Sequence, residues 1–161
     1  MDTGRNIENI RTLIGLLDSL VGPIRGSEII DYGAGTGLAL EAAGELSLRL
    51  IGVEPSLIMG QRAAARGMKV WTPGDLARQP QDSLPSAIAS YVLHLLPHTH
   101  GLRLLWSRLR PRSALVANFH KSEGIDQITD CLRGEHCKIV RLKSPDGSER
   151  HGPYIAYVKT D

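Results

Sequence analysis

The sequence predicts an α/β protein in three layers, a mostly parallel seven-stranded sheet covered by helices on both faces and closed by a C-terminal antiparallel hairpin. Three observations carry this. Short apolar runs alternate with stretches of helical periodicity, and parallel neighbours need a helical crossover between them. The first apolar run ends in three glycines spaced two apart, Gly33, Gly35 and Gly37, the pattern of a strand turning tightly into a helix. The last two apolar runs, 138–143 and 154–159, are joined through Ser144-Pro145-Asp146-Gly147 with no room for a helix, so they form a hairpin at one edge or inserted beside the fifth strand.

In chain order, residues 7–21 place Ile7, Ile10, Leu13, Ile14, Leu17, Leu20 and Val21 on one stripe, an amphipathic helix that packs on the sheet and is ended by Pro23. Residues 28–32 are a buried strand, Gly33 starts the turn, and 38–46 is an Ala/Leu/Glu-rich helix. A second strand at 49–53 ends at Glu54-Pro55-Ser56, and a helix at 57–66 is stopped by Gly67. Residues 69–72 form a third strand, after which Pro73-Gly74-Asp75 turns the chain. Strand 87–93 precedes a helix at 102–109, where Leu102, Leu105, Trp106 and Leu109 share a face. Strand 113–119 and a helix at 124–132 lead into the hairpin. The length suits one domain, 1–161, with an N-terminal helix in 1–22 and the core in 27–161.

A net charge of +2 neither demands nor excludes a nucleic-acid partner, although basic residues lean towards 103–112 and the C-terminal third. Cys131 and Cys137 are too few and wrongly spaced for a disulfide framework or a Cys-x2-Cys zinc site. No apolar run approaches the ~20 residues of a membrane span. Met1-Asp2-Thr3-Gly4-Arg5-Asn6 has no signal-peptide pattern, so a reduced, cytoplasmic setting without membrane contact is expected.

Ligands of such sheets bind beyond the carboxyl ends of the strands, where strand order reverses. Asp31, Glu54, Asp75, Ser90 to His94 and Asn118 to His120 fall there. A dinucleotide fingerprint would be Gly-x-Gly-x-x-Gly, with phosphate at the helix start. Here the third glycine comes one place early, and Asp31 stands where an anion would be repelled; an acid before the loop suits a cationic ligand better.

On these residues the chain resembles the class I S-adenosylmethionine-dependent methyltransferases over nearly its whole length, which implies a Rossmann-like core. Asp31-Tyr-Gly-Ala-Gly-Thr-Gly37 is similar to the family's first motif, and the resemblance implies that Asp31, Tyr32, Gly33, Ala34, Gly35 and Gly37 hold the methionine portion. Ile51-Gly-Val-Glu54-Pro55-Ser56 is similar to the second, where the acid takes both ribose hydroxyls. Gly74-Asp75-Leu76 is similar to the third, where the acid or the next amide meets the adenine amino group. Residues 87–96, with Ser90 at the cofactor, resemble the fourth-strand segment of the small-molecule branch, and Leu109-Arg110-Pro111 follows as in that branch. Pro111-Arg112-Ser113 stands where the family usually has Pro-Gly-Gly, a change in a surface turn.

The resemblance implies methyl transfer from S-adenosylmethionine to a small-molecule O, N or C acceptor. Two rivals are a non-catalytic cofactor-binding or partner-stabilising module, and an RNA or protein methyltransferase whose acceptor covers an open cleft. A nicotinamide oxidoreductase is the weakest reading. Where the acceptor carries a proton, a base is required, and His94 and His120 are the candidates nearest the cleft, with Tyr91 able to orient substrate. His94, His98 and His100 together suggest a metal site, but Pro97 breaks their spacing and no carboxylate is interleaved, so none is expected. No Asp/Asn-Pro-Pro-aromatic element or Pro-flanked cysteine follows the fourth strand, as base-modifying enzymes carry. Arg103, Arg108, Arg110 and Arg112 read as a solvated helix face.

Overall fold

The computed structural model describes residues 3–93, 99–120, 122–148 and 151–161. Its elements in order are α1 (Thr3–Val21), β1 (Glu28–Tyr32), α2 (Ala39–Ala43), β2 (Arg49–Val53), α3 (Leu57–Ala65), β3 (Lys69–Trp71) and α4 (Pro73–Ala77). They continue as β4 (Ala87–Ser90), α5 (Thr99–Arg108), β5 (Ala114–Asn118), α6 (Ser122–Leu132), β6 (Cys137–Leu142) and β7 (Tyr154–Lys159). The seven-stranded sheet runs β3-β2-β1-β4-β5-β7-β6. Strands β1 to β5 are parallel, whereas β7 lies antiparallel between β5 and β6, so the hairpin is inserted beside the fifth strand. Strand order reverses between β1 and β4, and the glycine turn opens at that point.

Both faces are covered because successive strand residues point to opposite sides. On β1, Ile29 belongs to a core shared with Ile10, Leu13, Ile14 and Leu17 of α1 and Ala39 and Ala42 of α2. Its neighbour Ile30 packs with Leu76, Leu102, Leu105 and Trp106 on the other face. The stripe predicted for 7–21 is therefore a packing stripe: Leu13 and Leu17 are fully buried, and truncating either to alanine would cost roughly 2–5 kcal/mol.

Three elements differ from the sequence reading, each for a local reason. The run 87–93 is strand only to Ser90, because Tyr91 takes a φ of 55° that ends the pleat. Pro73-Gly74-Asp75 is the first turn of α4 rather than a loop: Thr72 caps it, accepting from the Asp75 amide while the Asp75 carboxylate accepts from the Thr72 amide. The helix read at 38–46 is a short α2 continued by a 3-10 turn, Gly44–Leu46, and stopped by Ser47 in the left-handed region.

Candidate functional site

The loop after β1 is tied to the end of β2, since the amides of Gly33 and Ala34 donate to the Val53 carbonyl at 2.9 and 3.3 Å. Its three glycines face different neighbours. A Cβ on Gly33 would lie 2.7 Å from the Val92 side chain, and one on Gly37 would lie 3.0 Å from the backbone of Ala63 in α3. At Gly35, with φ of 55°, nothing lies within 4 Å of the missing Cβ. The first and third glycines thus let the loop pack, while the middle one leaves a bare backbone facing open space.

Two carboxylates flank this space. Glu54, just past β2, accepts from the Gly35 amide through Oε2 and from the Ser56 amide through Oε1, both at 2.8 Å. Each oxygen keeps a lone pair, so the carboxylate is oriented and still able to accept two hydroxyls. Asp31 is 4% exposed, and burial, reinforced by the charge of Glu54, pushes its carboxyl up to about 7. An acid kept partly protonated by desolvation is one that a neighbouring cation would ionise. The backbone cradle, the oriented carboxylate and the buried acid fit the sulfonium cofactor that the sequence suggested.

The other predicted residues divide. Tyr32 is buried, with its hydroxyl against Gly101 of α5, and burial pushes its phenol up to about 12. Ala34 is buried beneath the loop against Gly52, whereas Pro55 and Gly74 are exposed. Asp75 uses its carboxylate in the capping box and an ion pair with Arg78, and these hydrogen bonds, led by that from the Thr72 amide, hold it below the usual carboxylate range. The Leu76 amide is likewise engaged, donating to the Thr72 carbonyl at 3.1 Å. Ser90 ends β4 next to the cleft, its hydroxyl accepting from Asn9 at 2.8 Å.

On the β5 side, Tyr91 stacks on His120 with ring centroids 4.0 Å apart and planes 6° from parallel. His120 is exposed; His94 and His98 lie outside the described residues. Among the described residues no group of three or more His, Cys, Asp or Glu is placed to hold a metal ion, and no helix is long and apolar enough to cross a membrane.

Beneath the stack lies a buried polar network that the sequence reading did not assemble. Asn9 of α1 is fully buried; its amide nitrogen donates to Ser90 and to Asn118 Oδ1, and its oxygen accepts from the Tyr154 hydroxyl at 3.2 Å. Asn118 also accepts from the Tyr91 amide at 3.1 Å, which holds that residue in its left-handed conformation, and donates to the His151 carbonyl at 2.9 Å. One signal was present: Asn9, four residues before Leu13 and eight before Leu17, is a polar residue within the apolar stripe.

No protein-family model and no curated protein matches the sequence. Solved structures match it throughout. A TehB-like SAM-dependent methyltransferase from Corynebacterium glutamicum superposes with a TM-score of 0.70 at 16% identity, over 94% of this chain and 87% of that one. A SAM-dependent methyltransferase from Aquifex aeolicus gives 0.66 at 13% identity, over 98% and 97%. A chain of the Haloferax volcanii complex that contains the Trm112 methyltransferase activator gives 0.68 at 17% identity, over 98% and 95%. The fold is that of the class I SAM-dependent methyltransferases.

Proposed function

We propose that the chain binds S-adenosylmethionine in the loop between Asp31 and Glu54 and transfers its methyl group to a small-molecule acceptor at O, N or C. The observation that carries this reading is the open face of Gly35, bordered by an oriented carboxylate and a desolvated one at the reversal of strand order. When bound, the cofactor supplies an electrophilic methyl on a sulfonium that is already a good leaving group. The chain's own work is positioning. Glu54 takes the ribose hydroxyls, the Gly35 backbone permits close approach, and Asp31 balances the positive charge of the methionine part. Gly74, Asp75 and Leu76 border the adenine end. Tyr91, His120 and the Asn9–Asn118 network border the acceptor.

A small acceptor is supported by where the arginines lie. Arg108 donates to the Ala77 carbonyl and Arg112 pairs with Asp161, both at the end of the sheet away from the glycine loop. The test is methyl transfer from tritiated S-adenosylmethionine to pooled small hydroxyl and amine compounds, compared with total RNA and protein. Label entering small molecules supports the reading; label entering RNA or protein only overturns the acceptor class.

A second reading has one observation in its favour. Leu57 and Ile58, at the start of α3, are 74% and 64% exposed, and α3 lies beside β3, one of the two edge strands of the sheet. A partner protein of the Trm112 activator type would cover that face. Co-expression with such an activator should then raise methyl transfer, and Leu57→Asp with Ile58→Asp should remove the gain.

A further inference from the structure

Tyr91 is a bulky residue with a left-handed backbone, φ 55°, at the carboxyl end of β4. Such a conformation persists only where its surroundings fix it, and it concentrates at sites where a side chain has to be aimed. Here the fixing group is Asn118 at the end of β5, whose Oδ1 accepts from the Tyr91 amide at 3.1 Å and from the Asn9 side chain at 3.2 Å. One oxygen therefore ties Tyr91 to α1. The Tyr91 side chain is half-buried and stacks on the exposed His120, so the pair is open to solvent on the side away from the sheet. Gly33 of the loop packs on Val92, the next residue, which sets this pair beside the proposed cofactor.

Helix α1 brings a cation to the same place. It descends from the carboxyl ends of the strands, where Asn9 bonds to Ser90 and Asn118, towards the amino end of β1, which the chain enters after Ile24. Arg5, exposed and four residues before Asn9, lies on the same helix face and about 6 Å further out. Its charge reaches the Tyr91 phenol: burial pushes that phenol up, and the Arg5 charge and the Asn118 side chain oppose the shift. The phenol stays protonated at neutral pH and can donate. Glu8, one turn along from Arg5, leans towards the hairpin, with Oε2 3.7 Å from His151 Nε2.

We propose that Arg5 and the Tyr91 hydroxyl receive a carboxylate carried by the methyl acceptor; this rests on the methyl-transfer reading above. A planar guanidinium takes both oxygens of a carboxylate in two parallel hydrogen bonds, and the phenol adds a third donor from a fixed position. One cation matches one negative charge. A phosphate dianion would bring a second charge towards the Glu8 carboxylate, which repels it. The Tyr91–His120 stack beside this anchor offers a flat surface to a planar ring, so an aromatic acid is the acceptor class that uses both features. The anchor fixes the acceptor in place; no bond or proton changes there.

The experiment adds benzoate, benzamide or phenyl phosphate to the full chain saturated with S-adenosylhomocysteine and reads binding by ligand-detected NMR titration. Benzoate should bind the wild type at millimolar level or tighter, and benzamide, of the same shape without the charge, at least about tenfold more weakly. Arg5→Gln, at an exposed position that the fold does not need, should weaken benzoate by at least about tenfold and keep S-adenosylhomocysteine affinity within about twofold. Arg5→Lys, which keeps the charge without the fork, should fall between the two. Tyr91→Phe should lose about three- to tenfold on benzoate alone. Equal binding of benzoate and benzamide, benzoate binding unchanged in Arg5→Gln, tighter binding of phenyl phosphate than of benzoate, or no benzoate binding by the loaded wild type would overturn the assignment while leaving the methyl-donor reading intact. A wild type that does not bind S-adenosylhomocysteine overturns that reading instead.

Discussion

At Gly35 a left-handed backbone and empty space before the missing Cβ coincide, which separates it from the packing glycines on either side and makes it the glycine proposed to face the ligand. Gly35→Val should therefore reduce cofactor affinity by at least about tenfold, as titration calorimetry reads it, because the new side chain occupies the ligand's space. Glu54→Ala removes the proposed ribose acceptor and strands the Gly35 and Ser56 amides, and a loss of about 10- to 100-fold is expected in the same assay. Asp31 makes a prediction in pH. With its folded value near 7 and an ordinary value of 3.8, the free protein holds a proton that the unfolded chain has already released, so stability falls as pH rises from about 4 through 7. Asp31→Asn should flatten that decline in thermal melts. A cationic cofactor pulls the value down, so binding below pH 7 should release up to about one proton and tighten towards neutrality. Calorimetry in buffers of different ionisation enthalpy measures it, and uptake of a proton would contradict the charge assignment.

At the scale of elements, local chemistry explains both what the sequence disclosed and what it withheld. The strands at 28–32, 49–53 and 154–159 were legible to the residue because β-branched and apolar runs bounded by Gly or Pro have few other uses. Helix α4 was not, since Pro-Gly-Asp serves a turn and a capped first turn equally well; only the Thr72–Asp75 geometry decides. Removing the cap by Thr72→Ala should cost about 1 kcal/mol in chemical denaturation. Tyr91 shows the reverse case: its strand-like sequence context is overridden where its amide donates a hydrogen bond to the side-chain oxygen of Asn118, 27 residues away. Asn9 ties α1 to the same place, so Asn9→Leu should destabilise the fold by about 1–3 kcal/mol, leaving Ser90, Asn118 and Tyr154 with buried unpaired groups.

For the whole molecule, alternation of strands and helices foretold the parallel sheet, and the missing helix between the last two strands foretold an antiparallel hairpin; that β7 inserts beside β5 rather than extending an edge is decided only in the fold. The proposed methyl-donor side lies within contiguous motifs, Asp31 to Gly37 and Glu54 to Ser56, and so could be read along the chain. The buried polar network could not: Asn9, Ser90, Asn118 and Tyr154 come from four separate segments that meet only in the folded sheet. The most direct measurement of the central claim is titration of the wild type and Gly35→Val with S-adenosylhomocysteine and, separately, with NADH. Micromolar binding of the thioether by the wild type, lost in Gly35→Val, with no binding of NADH, is the predicted result. Tight NADH binding with no response to the thioether would contradict it.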